Sequence, residues 1–190
     1  MRVIAGVKRG TILATLQGDA IRPTSDKVKG AIFSSLQNDL RKANIFVDLF
    51  GGTGAMGIEA LSRGVKKVYC FDIAKSSIDI IQKNIQKTAF QSAAIVQQRS
   101  AIEGINYLYQ NNEICDIIFM DPPYKKSLDT LFLVQQIIQK KILSKAGKII
   151  IEHDKQTNFP KVIDSMIQYK EKNYGRICIS YYCQKEETIE

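Results

Sequence analysis

The stretch that joins the first predicted strand to the helix after it reads Val47-Asp48-Leu49-Phe50-Gly51-Gly52-Thr53-Gly54-Ala55-Met56-Gly57. Its glycines follow the Gly-x-Gly-x-x-Gly spacing of a turn that lets a nucleotide approach the backbone closely. Asp72 ends the next predicted strand, about twenty residues further on, where an acid can accept hydrogen bonds from ribose hydroxyls. We therefore expect a nucleotide-binding edge that includes Phe50, Gly51, Gly52, Thr53, Gly54 and Asp72.

Asp48, at the mouth of this loop, distinguishes between two kinds of nucleotide cofactor. A carboxylate there would repel the pyrophosphate of a dinucleotide, which backbone N–H groups and a helix N-terminus bind as an anion. The same carboxylate would attract the ammonium group of S-adenosylmethionine, so we predict this cofactor. The alternative is that Asp48 only caps the helix that begins near Gly54. Ile73 is expected to pack on the adenine, and Ser100 with Ala101 to reach the adenine edge.

Outside the loop, short apolar runs alternate with longer segments of helical periodicity. The runs predict strands at 45–50, 67–72, 93–98, 115–120 and 148–153, with helices between them at 56–63, 75–88, 102–110 and 128–141. This alternation is typical of an α/β fold with right-handed crossovers and a mostly parallel sheet. A helix at 159–167 and two strands at 169–174 and 176–184 complete seven strands, the last two forming an antiparallel hairpin that turns at Gly175.

Residues 1–42 precede the alternating part and are strongly basic. They predict a two-stranded ribbon over 2–16, turning near Gly10, and a helix that ends near Leu40 after capping residues at 24–26. The chain has 27 Lys and Arg against 19 Asp and Glu, a net charge of +8, and eight of the basic residues but only three of the acidic ones lie here. This favours a polyanionic partner, the alternative being an ordinary solvated surface. We predict that 1–42 extends a domain spanning 43–190.

The segment Asp121-Pro122-Pro123-Tyr124 directly follows the fourth predicted strand. Two prolines stiffen the segment and leave its carbonyl groups free to accept hydrogen bonds. An amino group conjugated to a heteroaromatic ring is a poor nucleophile, and the Asp121 carboxylate with the Pro122 carbonyl could accept its two hydrogens and direct its lone pair toward a methyl donor. Tyr124 is expected to stack on the base. The alternative is a rigid turn without a catalytic role.

The composition argues against several other classes of protein. The apolar runs are much shorter than the roughly 20 residues of a membrane-spanning helix, and the N-terminus does not have the pattern of a secretory signal. The four cysteines lie in apolar, β-branched runs without metal-binding spacing, and the chain has one histidine. We therefore expect buried, reduced thiols, no metal site and a cytoplasmic protein.

Four blocks of sequence resemble one known family, the small-subunit (16S) ribosomal RNA guanine-N2 methyltransferases of the RsmD type. These blocks are Arg2-Val3-Ile4-Ala5-Gly6 with Arg9-Gly10, Arg22-Pro23-Thr24-Ser25-Asp26-Lys27-Val28-Lys29, Asp48 to Gly64, and Asp121-Pro122-Pro123-Tyr124. The resemblance implies a class I, Rossmann-like methyltransferase fold with an N-terminal β-ribbon. It also implies methylation of a guanine N2 in 16S ribosomal RNA, either free or within an assembling small ribosomal subunit. The residues implied to contact that RNA are Arg9, Arg22, Thr24, Lys27 and Lys29.

The chain departs from the family pattern at three places and leaves other functions open. Lys29-Gly30 stands where Arg-Glu is expected, the loop has Gly-Gly-Thr-Gly in place of Ala-Gly-Ser-Gly, and Ser100 replaces an acid. Glu59 and Arg63, one helical turn apart, could form a structural ion pair. The alternatives are methylation of adenine N6 in DNA or RNA, and a catalytically silent RNA-binding assembly factor. A nicotinamide oxidoreductase would fit the glycines but not Asp48.

Overall fold

The structure is a computed structural model that describes residues 1–15, 25–123 and 127–185. The chain divides into two compact units, Met1–Gly104 and Ile105–Glu190. The first contains α1 (Asp26–Ser35), α2 (Gln37–Leu40), β1 (Ile45–Asp48), α3 (Ala55–Ser62), β2 (Lys67–Asp72), α4 (Lys75–Thr88) and β3 (Ala94–Gln98). After α5 (Ala101–Gln110), the second contains β4 (Cys115–Met120), α6 (Ser127–Gln139), β5 (Leu143–Asp154), β6 (Val162–Ile163), β7 (Met166–Tyr174) and β8 (Ile177–Gln184).

The eight strands belong to one mixed sheet, which confirms the α/β class. In the first unit the order is β3-β2-β1 and all pairs are parallel, with Asp48 opposite Cys70 and Asp72 opposite Gln98. Strands β1 and β2 are buried along almost their whole length, as expected of parallel strands covered on both faces. Because the strands are parallel, their carboxyl ends meet at one edge, and the glycine loop begins there.

The N-terminal ribbon, residues 1–15, forms a smaller antiparallel pair than predicted. One isolated bridge joins Arg2 to Ile12, and backbone hydrogen bonds from Gly10 to the Val3 carbonyl and from Leu13 to the Met1 carbonyl extend the pairing. Gly6 has a φ of +82°, and a Cβ atom there would lie 1.7 Å from the Ser62 carbonyl oxygen, so only glycine fits this close approach.

The helix after this ribbon begins where its capping residues predicted but ends earlier. The Ser25 hydroxyl accepts a hydrogen bond from the Val28 N–H at 3.3 Å, which caps α1. A single helix to Leu40 was the prediction. The backbone instead leaves the helical region at Leu36, with φ −101° and ψ 9°, and a separate short helix follows.

In the second unit the order is β4-β5-β8-β7-β6, with β4 and β5 parallel and the remaining pairs antiparallel. The predicted hairpin is confirmed: β7 and β8 are joined at Gly175, whose φ is +65°. The predicted helix at 159–167 is wrong, because β6 and the start of β7 occupy that segment and turn at Asp164, with φ +49°. This two-residue strand raises the total from the predicted seven to eight.

Three of the four cysteines are buried in the interior. Cys70, Cys115 and Cys178 are buried and Cys183 is half-buried, and these four cysteines form no disulfide with one another. Complete burial and, to a lesser extent, the nearby Asp48 carboxylate raise the pKa of Cys70 well above its ordinary value.

Among the described residues, no helix is long and apolar enough to cross a membrane.

Candidate active site

The glycine loop that follows β1 is fixed by hydrogen bonds from its own backbone. The Gly51 N–H donates to the Phe71 carbonyl at 2.7 Å, and the Gly54 N–H donates to the Gly51 carbonyl at 2.7 Å. Gly52 and Gly54 have φ values of +53° and +76°, which L side chains rarely adopt. The loop is therefore a closed turn that the glycines permit, and α3 begins directly after it.

Asp72 is brought to this loop by the pairing of β1 with β2. One carboxylate oxygen accepts the Gly52 N–H at 2.8 Å, and the other accepts the Ala74 N–H at 2.9 Å. The side chain is only half-buried, and an ionised carboxylate offers about four acceptor positions, so it has capacity left for hydroxyl donors. The structure thus brings together the loop and the acid that the sequence pattern paired.

Asp48 is the last residue of β1 and is buried where the glycine loop begins. It is 1% exposed, and its carboxylate accepts the Phe50 N–H at 3.2 Å. A carboxylate so nearly enclosed acts on a bound ligand mainly through its negative charge. The N-cap residue of α3 is Gly54, which has no side chain that could cap the helix.

The predicted adenine-binding residues lie at the carboxyl ends of β2 and β3. Ile73 is 73% exposed, and its carbonyl accepts a hydrogen bond from the Gln98 side chain at 3.1 Å. Ala101 is buried at the start of α5, and the Ser100 hydroxyl caps that helix by accepting the Glu103 N–H at 3.4 Å. The Ser100 hydroxyl and N–H in turn both donate to the Glu103 carboxylate, at 2.7 and 2.8 Å.

Glu103 was missed by the sequence reasoning. These hydrogen bonds from Ser100 lower the pKa of Glu103, which is exposed. An acid therefore stands one helical turn beyond the position where the family pattern expects one. The Ser-x-x-Glu capping signature was the signal that could have found it.

These residues fit the cofactor that the sequence predicted. The loop edge carries the half-buried Asp72 carboxylate, which can accept further hydrogen bonds, and the exposed apolar side chain of Ile73 next to it in sequence. The buried carboxylate of Asp48 adds negative charge at the start of the loop. Ribose hydroxyls, an adenine face and an ammonium group are the complements of these three features. Within residues 1–15, 25–123 and 127–185, no group of three or more His, Cys, Asp or Glu side chains is placed to hold a metal ion.

The predicted catalytic segment begins directly after β4, in the second unit. Asp121 and Pro122 are half-buried and Pro123 is exposed, all in an irregular backbone. The parallel register pairs Met120, the last residue of β4, with Ile151 of β5, so Asp121 lies at the carboxyl end of the strand, as predicted. Tyr124, expected to stack on the base, lies outside the described residues.

The basic residues predicted to contact RNA divide into three groups. Arg9 and Lys27 are exposed, and Arg22 and Thr24 lie outside the described residues. The prediction for Lys29 is wrong, because its side chain is fully buried. Its ammonium group donates to the Arg2 carbonyl at 2.5 Å and lies 3.3 Å from the Glu59 carboxylate, an ion pair that no RNA phosphate can reach.

Glu59, on α3, is the centre of a buried polar network. Its carboxylate accepts the backbone N–H groups of Ile4 and Ala5 at 2.7 and 3.0 Å, and it pairs with Arg63 at 2.8 Å as well as with Lys29. Burial lowers the pKa of Lys29 below its ordinary value of 10.5, against the raising effect of the Glu59 carboxylate. Glu59 thus ties the N-terminal ribbon and α1 to the helix that begins at the glycine loop.

Comparison with known proteins identifies the family. A family model described as conserved hypothetical protein 95 matches residues 1–183. The chain belongs to this family. Two relatives illustrate the similarity. The Bacillus subtilis protein named putative rRNA methyltransferase YlbH is 31% identical over 182 residues, which cover 96% of this chain and 98% of that protein. A Haemophilus influenzae protein named ribosomal RNA small subunit methyltransferase D is 35% identical over 132 residues, covering 67% and 66%.

Solved structures agree with the family at the level of the fold. The Escherichia coli protein named putative methyltransferase yhhF superposes with a TM-score of 0.83 at 26% sequence identity, over 98% of this chain and 99% of that one. The fold is accordingly that of the class I S-adenosylmethionine-dependent methyltransferases, as the sequence resemblance implied. Within this family fold, the glycine loop and Asp72 occupy the carboxyl edge where parallel α/β sheets bind their ligands.

Proposed function

We propose that this chain transfers a methyl group from S-adenosylmethionine to the exocyclic N2 of a guanine in small-subunit ribosomal RNA. The observation that carries the proposal is the position of Asp121 and Pro122 at the carboxyl end of β4, in a fold of the class I methyltransferases. Membership of a family with a relative named ribosomal RNA small subunit methyltransferase D supports the RNA class. A ribosomal substrate implies a cytoplasmic enzyme.

The first unit would hold the cofactor through the residues of its loop edge. Asp72 would accept hydrogen bonds from the ribose hydroxyls, Ile73 would cover the adenine, and the negative charge of Asp48 would attract the ammonium group. When bound, the cofactor supplies a methyl group made electrophilic by its attachment to a positively charged sulfur. The Gly52 N–H bond to Asp72 fixes the carboxylate before any ligand arrives, so little reorganisation is needed on binding.

Asp121 and Pro122 would act on the amino group that receives the methyl. If the Asp121 carboxylate and the Pro122 carbonyl each accept one N–H hydrogen, the nitrogen lone pair is directed away from the ring. Positive charge that develops on nitrogen as the N–C bond forms is then stabilised by the carboxylate. Transfer of the methyl group to this nitrogen would leave the electron pair of the broken carbon–sulfur bond on sulfur, and the nitrogen would then lose one proton. Holding the two reacting atoms in line at about 3 to 3.5 Å supplies the rest of the acceleration.

The distribution of charge supports a polyanionic substrate beside the cofactor. The first unit has 15 Lys and Arg against 8 Asp and Glu, a net charge of +7, whereas the second has 12 against 11, a net charge of +1. Nearly all of the excess therefore lies in the unit that would hold the cofactor. Arg9 and Lys27 are the exposed members of the predicted RNA-binding set, and the substrate would be free RNA or an assembling small ribosomal subunit.

One experiment identifies both the polymer that is methylated and the atom that receives the methyl group. The protein is incubated with methyl-labelled S-adenosylmethionine and, separately, with 16S ribosomal RNA, small ribosomal subunits and DNA, and the labelled nucleoside is identified. We expect N2-methylguanosine from a ribosomal substrate. N6-methyladenosine, or label in DNA alone, would replace the guanine proposal with the adenine alternative, and no transfer to any polymer would favour a silent binding protein.

Two variants separate the roles of the two loops. Asp121→Ala is expected to reduce methyl transfer by about two to three orders of magnitude, the range for loss of one transition-state hydrogen-bond partner, while cofactor affinity stays within a few-fold. Asp72→Ala is expected to weaken cofactor binding, measured by calorimetry. Full activity in the Asp121 variant would remove the proposed mechanism.

A further inference from the structure

Asn84, on α4, is a fully buried amide that joins two segments far apart in the sequence. Its side-chain oxygen accepts the Ala14 N–H at 2.8 Å, and its nitrogen donates to the Ala14 carbonyl at 3.0 Å. The second hydrogen of the same nitrogen is donated to the Thr53 carbonyl at 2.9 Å. The amide therefore links the end of the N-terminal ribbon to the glycine loop.

The backbone N–H and carbonyl of Ala14 together determine how the Asn84 amide is oriented. The Ala14 N–H can only donate, so it must face the amide oxygen, and the two carbonyls can only accept, so they must face the nitrogen. With Ala14 in place, one N–H of Asn84 necessarily points at Thr53. Without the Ala14 N–H, the amide oxygen loses its donor and the ribbon loses one of its two bonds to Asn84, so the N–H that points at Thr53 is held less firmly.

The Thr53 carbonyl is the part of the loop that depends on the ribbon. The N–H groups of Gly51, Gly52 and Gly54 are bonded to Phe71, to Asp72 and within the loop itself. Thr53, by contrast, is linked to the ribbon in two ways. Its carbonyl accepts a hydrogen bond from Asn84, which also bonds to the ribbon, and its hydroxyl lies 3.5 Å from the Met1 sulfur. Leu13 bonds to the Met1 carbonyl at 3.0 Å, so both contacts come from one paired element.

We propose that Asn84 is a positioning residue that couples the docking of the N-terminal ribbon to the geometry of the cofactor loop. The ribbon carries the exposed Arg9. An RNA that holds the ribbon in place therefore favours the loop geometry that binds the cofactor. By linkage, a bound cofactor favours RNA to the same extent. The identity of the two ligands rests on the proposed function, whereas the coupling of ribbon to loop does not.

A matched pair of variants at Ala14 tests the coupling without RNA. Ala14→Pro removes the N–H that bonds to Asn84 and puts the proline ring in its place, whereas Ala14→Gly keeps the N–H, so only the proline variant breaks the contact between ribbon and Asn84. We expect calorimetry with S-adenosylhomocysteine to show affinity about 5-fold or more weaker in the proline variant, and near that of the unaltered protein in the glycine variant. Equal affinities in the two variants, with both folded by circular dichroism, would overturn the proposal.

Asn84→Asp provides a second test at the other end of the same bond. The carboxylate keeps the size of the side chain but places oxygen against two carbonyl oxygens. We expect a 16S ribosomal RNA fragment to strengthen S-adenosylhomocysteine binding about 5-fold or more in the unaltered protein and less than about 2-fold in the Asp variant. An equal RNA effect in both proteins would contradict a role for Asn84. Normal coupling without methylation of the RNA would instead count against the proposed function alone.

Discussion

Glu59→Gln is the substitution whose effect the structure allows us to work out most fully. The two oxygens of Glu59 accept two backbone N–H groups and face the cations Arg63 and Lys29, with Glu59 and Lys29 both fully buried. Glutamine has the same shape but replaces one oxygen with an NH2 group, which must then face a donor. Lys29 meanwhile loses the carboxylate that offsets its burial, so the interior must hold either an unpaired charge or an amine that has given up its proton.

The cost follows from known values for buried ion pairs. Removing one partner of such a pair destabilises a protein by about 3 to 5 kcal/mol, a large part of a typical total of roughly 5 to 15 kcal/mol. For a domain of this size, about 2 to 4 °C per kcal/mol gives a fall in melting temperature of about 6 to 20 °C. Thermal unfolding at neutral pH, followed by circular dichroism, measures this fall directly.

Lys75→Gln is the matched control for this substitution. It breaks another ion pair with four-residue spacing on a helix, between Lys75 and Asp79 at 2.8 Å, but these side chains are 73% and 56% exposed. Exposed pairs contribute about 0 to 1 kcal/mol, so the control should lose little stability. If Glu59→Gln loses no more stability than Lys75→Gln, the buried network does not hold the ribbon and the reasoning fails.

Two further predictions concern pH and salt. Burial lowers the pKa of His153 below its ordinary value of 6.5, while its ring bonds to Ser180 at 2.8 Å. Below about pH 6.5 the unfolded chain therefore binds a proton that the folded chain does not, so stability falls on acidification and recovers as pH rises. Urea unfolding between about pH 5 and 8 should show this dependence weakened in His153→Gln, and an unchanged profile would assign it to other groups. For RNA binding, replacing Arg9 and Lys27 with glutamine should lower the slope of log affinity against log salt by about 0.7 to 0.9 for each phosphate that is no longer neutralised, and an unchanged slope would return both residues to the solvated surface.

The alternating part of the chain was predictable because each element has its own hydrophobic period. The bounds of β2, α4 and β4 coincide with the predicted ranges, since apolar runs with polar flanks have little freedom in a sheet covered on both faces. The segment 159–167 failed for the same kind of reason. Phe159, Ile163 and Ile167 recur at four-residue spacing, but this periodicity arises from two short strands joined by the turn at Asp164.

The residues expected to contact a ligand remain predictions, whereas the assignment of Lys29 was wrong because its partner is another part of the chain. Lys29 was assigned to RNA because its charge was considered without its helical position. It lies three and four residues before Ile32 and Phe33, both buried, so its place on the inner face of α1 could have been found from the spacing. Nothing in the local sequence shows that Glu59, thirty positions later, neutralises it.

Buried polar groups must be satisfied, and here they are satisfied across long stretches of sequence. Glu59 holds the start of the N-terminal ribbon and Asn84 holds its end, at sequence separations of 55 and 70 residues. Both anchors lie on helices that flank the glycine loop, one of them beginning at the loop itself. The residues that composition marks as an RNA-binding extension are therefore also part of the support for the cofactor loop. A division into an RNA-binding extension and a separate catalytic domain misses this, because the two share their buried hydrogen bonds.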